Sequence, residues 1–146
     1  MAATSFSPRA RRAGLLLLQS ITAAVFLVAG IAKLSGSASM IAFFQAVGFG
    51  QWFRYAVGVA EVVGGVLLLL PRLAGLGALF LTVEMLGAMA TQALVLHASP
   101  LAAAIMLIPL IAIVWLRWTD TREAVTWLRA LGRGGTGADG ERYRPW

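Results

Sequence analysis

The sequence predicts an all-α integral membrane protein: a four-helix bundle with short interfacial helices. Three observations predict it. Hydrophobic residues make up 60% of the 146 positions and charged residues only 12%, whereas a soluble domain carries about a quarter charged residues. Four apolar runs of about 20 residues follow one another, the length that crosses a hydrocarbon layer as a helix. The breaks between them are short, which makes successive helices antiparallel neighbours.

Residues 1–13 form a polar, basic segment with Arg9, Arg11 and Arg12. The first apolar run, 14–34, is longer than the roughly 7–15 residues of a signal-peptide core and reads as a retained helix. Residues 35–51 carry no charge. There Ser35-Gly36-Ser37 breaks the first helix, and Met40, Ile41, Phe43, Phe44 and Val47 recur at helical spacing before Gly48-Phe49-Gly50. That pattern fits either a short helix lying in the interface or an apolar loop. The second span, 52–70, ends at Pro71-Arg72; the third, 73–97, turns at Ala98-Ser99; the fourth covers 100–118 and contains Pro109. The transmembrane domain is thus 14–118. The tail, 119–146, opens with a capping pattern, Asp120 before Glu123, and predicts a short amphipathic helix followed by a glycine-rich stretch.

Basic residues in short loops set orientation. With four spans, Arg9, Arg11, Arg12, Arg72, Arg117 and Arg122 fall on one side, which is therefore cytoplasmic and holds both termini. The expected location is the inner membrane of a bacterium. The net charge of +6 reflects this topology and not nucleic-acid binding, because the arginines end apolar runs and do not form a stripe interleaved with aromatics. The absence of cysteine excludes disulfides, thiol redox chemistry and thiolate metal sites. With one histidine, no metal site is expected either, so a redox role would rest on a bound organic molecule or a partner protein.

Lys33, Glu61 and Glu84 lie inside apolar spans. An ionisable residue at a helix centre costs about 2.5–3.5 kcal/mol on insertion scales, so each calls for a partner or a function. At about 1.5 Å per residue, Glu61 is roughly 14 Å from Trp52 and Glu84 roughly 16 Å from Leu73, which places both carboxyl groups near the midplane. Helical spacing aligns Gln19, Thr22, Phe26, Gly30 and Lys33 on the first span; Arg54, Gly58, Glu61 and Gly65 on the second; Gly77, Glu84, Ala88 and Thr91 on the third. The small residues allow close helix approach or leave room for a ligand. Lys33, Glu61, Glu84, Gly58 and Gly65 are the candidate ligand-binding residues. Gln19, Arg54, Gln92 and His97 are secondary candidates. A lone His97 at a helix end more often simply meets water, and a buried Lys–Glu pair can be purely structural.

Gly30-Ile31-Ala32-Lys33-Leu34, the connector Phe43-Phe44 to Val47-Gly48, and the run Gly58-Val59-Ala60-Glu61-Val62-Val63-Gly64-Gly65-Val66-Leu67-Leu68-Leu69 resemble the first two helices of the DoxX/DoxD family. The resemblance covers roughly Gly14 to Trp118 and is specific in those two helices. It implies a four-helix bacterial or archaeal membrane protein. Members include quinone-reactive subunits of a thiosulfate-oxidising enzyme, subunits of membrane oxidoreductases, and proteins encoded with quinone or catechol stress genes. The motif carries over Gly30, Lys33, Gly58, Glu61, Gly64 and Gly65; Glu84 rests on the reading of the residues alone. Three functions follow as expectations. The first is a subunit that binds a quinone or similar lipophile, with no covalently bound cofactor, in the lipid bilayer beside a redox partner protein. The second is a non-enzymatic accessory or assembly subunit. The third is a small proton-coupled transporter, whose glutamate would normally stand in the first helix, where this chain has Lys33.

Overall fold

In the computed structural model, which describes residues 8–118, the chain forms five α-helices and no strand among the described residues. Helix α1 runs Pro8–Leu34, α2 Ala38–Val47, α3 Gln51–Leu69, α4 Ala74–Ala90 and α5 Leu101–Leu116. A π-helical turn, Thr91–Val95, extends α4. Four long helices pack in a ring in which α1 lies against α3, α3 against α4, α4 against α5, and α5 back against α1. The chain alternates direction, so one end of the bundle gathers Lys33, α2 and Arg54, and the other gathers Pro71 and Arg117.

The boundaries differ from the sequence reading in informative ways. Helix α1 begins at Pro8, not Gly14, because proline is well suited to a first helical turn and arginine is a good helix former. The 35–51 connector does contain a helix, α2, closed by Gly48 at φ 86°, a left-handed residue that glycine adopts without steric cost. The third predicted span divides into α4 and its π turn. Three helical stretches, Arg12–Leu34, Gln51–Leu69 and Ala74–Val95, are long and apolar enough to cross a membrane. Helix α5 is apolar but has only 16 residues, or about 24 Å, shorter than a hydrocarbon core of about 30 Å. The predicted tail helix lies outside the described residues.

The bundle presents apolar side chains outward from every long helix. Val28, Val83, Ile108 and Trp115 are 64–77% exposed, an arrangement that water would oppose and lipid tails accept. The interior is held by Ala23, Phe26, Leu68, Ala78, Leu81, Leu110 and Ile113. At the Lys33 end, Phe43, Phe44, Phe53, Phe49 and Trp52 join edge to face, with ring centroids 5.3–5.8 Å apart, and fix α2 to the start of α3.

Glycines set the helix separations. A Cβ on Gly30 would come within 2.8 Å of the Gly58 carbonyl, and one on Gly65 within 2.9 Å of Leu27, so α1 and α3 meet backbone to backbone. Between α3 and α4, a Cβ on Gly64 would meet Leu81 at 2.5 Å, and one on Gly77 would meet Leu67 at 2.8 Å. Gly87 has nothing within 4 Å. Gly64→Ala is therefore expected to destabilise the bundle by about 1–3 kcal/mol, while Gly87→Ala stays within about 0.5 kcal/mol. Thermal unfolding of both variants in detergent checks this; equal midpoints would contradict the packing account.

Candidate functional site

Three of the four long helices turn polar stripes inward. On α3, Arg54, Gly58, Glu61 and Gly65 are all buried. On α1, Gln19, Thr22, Phe26 and Gly30 are buried and Lys33 is half-buried. On α4, Gly77 is buried and Glu84, Ala88 and Thr91 are half-buried. The alignment read from helical spacing is thus the one the fold uses.

Lys33 and Glu61 form the centre. The Lys33 ammonium donates to both carboxylate oxygens, at 2.8 Å to Oε1 and 2.7 Å to Oε2. The Lys33 side chain is 15% exposed and that of Glu61 4%, so the pair is desolvated and each charge depends on the other. Backbone contact makes the pair possible. Gly30 lies one turn before Lys33 and Gly58 one turn before Glu61. Because the helices are antiparallel, Lys33 and Glu61 flank the glycine contact on opposite sides, and their side chains, each tilted toward the N-terminus of its own helix, meet across it. At Gly58 and Gly65 the neighbouring helix already occupies the space a side chain would take: Leu34 and the Gly30 carbonyl at Gly58, Leu27 at Gly65.

Arg54 stands one step further toward that end. Although 97% of its surface is covered (3% exposed), the guanidinium is well supplied with partners. Its Nη1 donates to the Lys33 carbonyl at the C-terminus of α1, its Nε donates to Gln51 Oε1 at 2.7 Å, and the Tyr55 ring lies 4.2 Å away. A cation at a helix C-terminus satisfies an orphan carbonyl and complements the negative end of the dipole. Arg54 thereby fixes the end of α1 that carries Lys33.

Glu84 approaches from α4, near enough for the charges of both Glu61 and Lys33 to act on it. Its two oxygens are buried and have no hydrogen-bond partner among the described residues. Beyond α4, Gln92 is the second residue of the π turn, and its Oε1 is likewise buried without a partner among the described residues. The π turn is marked by the Leu96 amide donating to the Thr91 carbonyl at 3.1 Å. Its hydrogen bond spans one residue more than that of an α-helix, so it resets the phase of the positions that follow. His97 then leaves the helix exposed, with φ 48°, a left-handed conformation that histidine adopts more readily than most residues. Gln19 lies toward the opposite end of the bundle, where its Nε2 donates to the Leu68 carbonyl. The fold thus gathers Lys33, Glu61 and Glu84, places Arg54 beside them, sets Gln92 and His97 at the same end of α4, and leaves Gln19 apart.

One buried residue was not legible as such. Arg117, a topology charge in the sequence, is 8% exposed and donates from Nη1 to the Pro71 carbonyl at 2.9 Å. The hint in the sequence is its position at the end of the last helix, opposite the tight Pro71 connection. Among the described residues no group of three or more His, Asp or Glu side chains stands together as a metal site would require.

The sequence pattern of the DoxX-like family matches residues 17–117. A protein of Bacillus subtilis (strain 168) named "Putative oxidoreductase CatD" is 31% identical over 78 residues, which cover 53% of this chain and 58% of that protein. The chain therefore matches little more than half the length of that relative. No solved structure matches the chain.

Removing one partner of the central pair should cost more than removing both. Lys33→Met or Glu61→Leu alone strands a buried charge, with an expected loss of about 3–5 kcal/mol, whereas the double variant should recover most of it. A double-mutant cycle of unfolding in detergent measures this, and additive losses would contradict a coupled pair.

Proposed function

The chain belongs to the DoxX-like family, and on that premise we propose that it is a membrane subunit binding a quinone or similar lipophile among its helices, in an oxidoreductase or detoxification system. The observation that carries this reading is Glu84. A carboxyl group with both oxygens buried and unpartnered is costly in an apolar bundle, and it stands beside an ion pair that already satisfies itself. A ligand polar atom at Glu84 would offset that cost. The similarity to a protein named as an oxidoreductase supports the redox half of the proposal. With no cysteine in the chain, electrons would pass through the bound lipophile to or from a partner protein.

The residues take distinct parts. Glu61 holds the Lys33 ammonium in place through two hydrogen bonds, and the third ammonium proton remains for a ligand oxygen. Glu84 supplies the second polar contact. The apolar exterior gives a lipophile direct access from the bilayer. In this reading α5 crosses as the fourth span, short as it is, with the bilayer thinning locally. Both termini then lie in the cytoplasm of a bacterium and the Lys33 end faces outward.

Two experiments test these proposals. Purified protein in nanodiscs, titrated with decylubiquinone and followed by tryptophan quenching, should show saturable binding that weakens at least about tenfold in Glu61→Gln, because the Lys33 ammonium that meets the ligand is no longer held by a carboxylate. Non-saturable quenching, or affinity indifferent to Glu61, would sink the ligand reading. For topology, a phosphatase fused after Trp146 should be inactive and a fluorescent protein there bright; the reverse pattern would remove the fourth crossing.

A further inference from the structure

The polar groups within the bundle are unevenly supplied. Most of its donors are used: Thr22, Thr82 and Thr91 each donate to the carbonyl four residues earlier, at 2.7–2.9 Å. The Gln19 amide donates to Leu68, and Lys33 directs two of its protons at Glu61. Beside the third Lys33 proton, what remains unfilled is mainly acceptors. Both Glu84 oxygens and the Gln92 Oε1, with the Gln19 Oε1 toward the other end of the bundle, are buried with no donor facing them among the described residues. A proton on Glu84 would turn one of its oxygens into a donor and leave the other, with that of Gln92, as acceptors.

We infer that this site takes its lipophile in the hydrogen-donating, dihydroxy form in preference to the oxidised dicarbonyl form. The inference rests on the ligand reading above and adds the redox state to it. A benzoquinone ring brings two carbonyl oxygens, which are acceptors, to a place where acceptors are already in excess. The corresponding hydroquinone brings two O–H donors, and a carboxylate with two free oxygens is a strong partner for a hydroxyl. A lipophilic cation would also suit Glu84, but Lys33 stands near enough for its positive charge to act there and opposes a second cation. Met85, with Met89 and Met106 partly buried around the same core, supplies unbranched, polarisable side chains that adapt to an aromatic ring and contact it favourably.

The test compares three probes on the native protein in nanodiscs under argon: decylubiquinone, its dithionite-reduced hydroquinone, and the dimethyl ether of that hydroquinone. The hydroquinone should bind about tenfold or more tighter than either of the others, since both lack the O–H donors. Glu84→Gln, which exchanges one acceptor oxygen for an N–H donor, should bring the hydroquinone-to-quinone ratio close to one. The ether comparison needs no variant, so the inference stays testable if Glu84→Gln fails to fold. Equal or tighter binding of the quinone, still dependent on Glu61, would overturn this inference and leave the ligand reading standing. If none of the probes binds saturably, both fall together.

Discussion

A charge inside an apolar bundle must find its counter-charge within the protein, and the Lys33–Glu61 pair is where this molecule meets that demand. The pair constrains far more than two side chains. A 2.7 Å contact between residues on different helices holds α1 and α3 at one distance and one rotation. That distance is attainable only because Gly30 and Gly58, one turn away, present backbone to backbone. Ion pair and glycine contact are thus one device. A side chain at either glycine would separate the charges, and without the charges the close approach would have no fixed register.

The same logic recurs at the bundle's two ends, with arginine in place of lysine. Arg54, from the first turn of α3, reaches the last turn of α1. Arg117, just past α5, reaches the carbonyl of Pro71 after α3. Each guanidinium satisfies a carbonyl that no helical amide can reach, and each ties parts of the bundle that do not follow one another directly in sequence. Lipid-facing helices gain little from hydrophobic association, since lipid tails are as apolar as leucine. Such polar ties and the glycine contacts therefore carry much of the specificity of the arrangement.

Against this self-satisfied framework Glu84 stands out. Every other intramembrane polar side chain on the inward stripes has at least one partner, whereas both oxygens of Glu84 lack one among the described residues. Natural structures leave few buried polar atoms unpaired, and those they leave call for an explanation. The interruption of α4 by a π turn a few residues later falls on the same helix, and π turns recur at functional positions. The helix that carries the unpaired acid is also the one whose regularity is broken, which concentrates the functional question on α4 and leaves α1 and α3 as its support.

The sequence by itself determined the long helices, their order and which faces turn inward. Those follow from local rules, namely the apolar run lengths, the 3.6-residue period, and the high cost of Lys33, Glu61 and Glu84 anywhere but the interior. It also identified Gly30, Lys33, Gly58 and Glu61 as a connected motif. Tertiary structure alone decided the rest. Whether a small residue makes room or makes contact depends on what the next helix places there, and at Gly58 and Gly65 the answer is contact. Whether an arginine is a topology signal or a buried tie depends on a carbonyl 46 positions away, as Arg117 and Pro71 demonstrate. Which of two glutamates is paired depends on which one α3 and α4 bring within reach of the single Lys33 ammonium, and α3 brings Glu61. A periodic pattern fixes a face, but only packing decides which group on the opposite face will meet it.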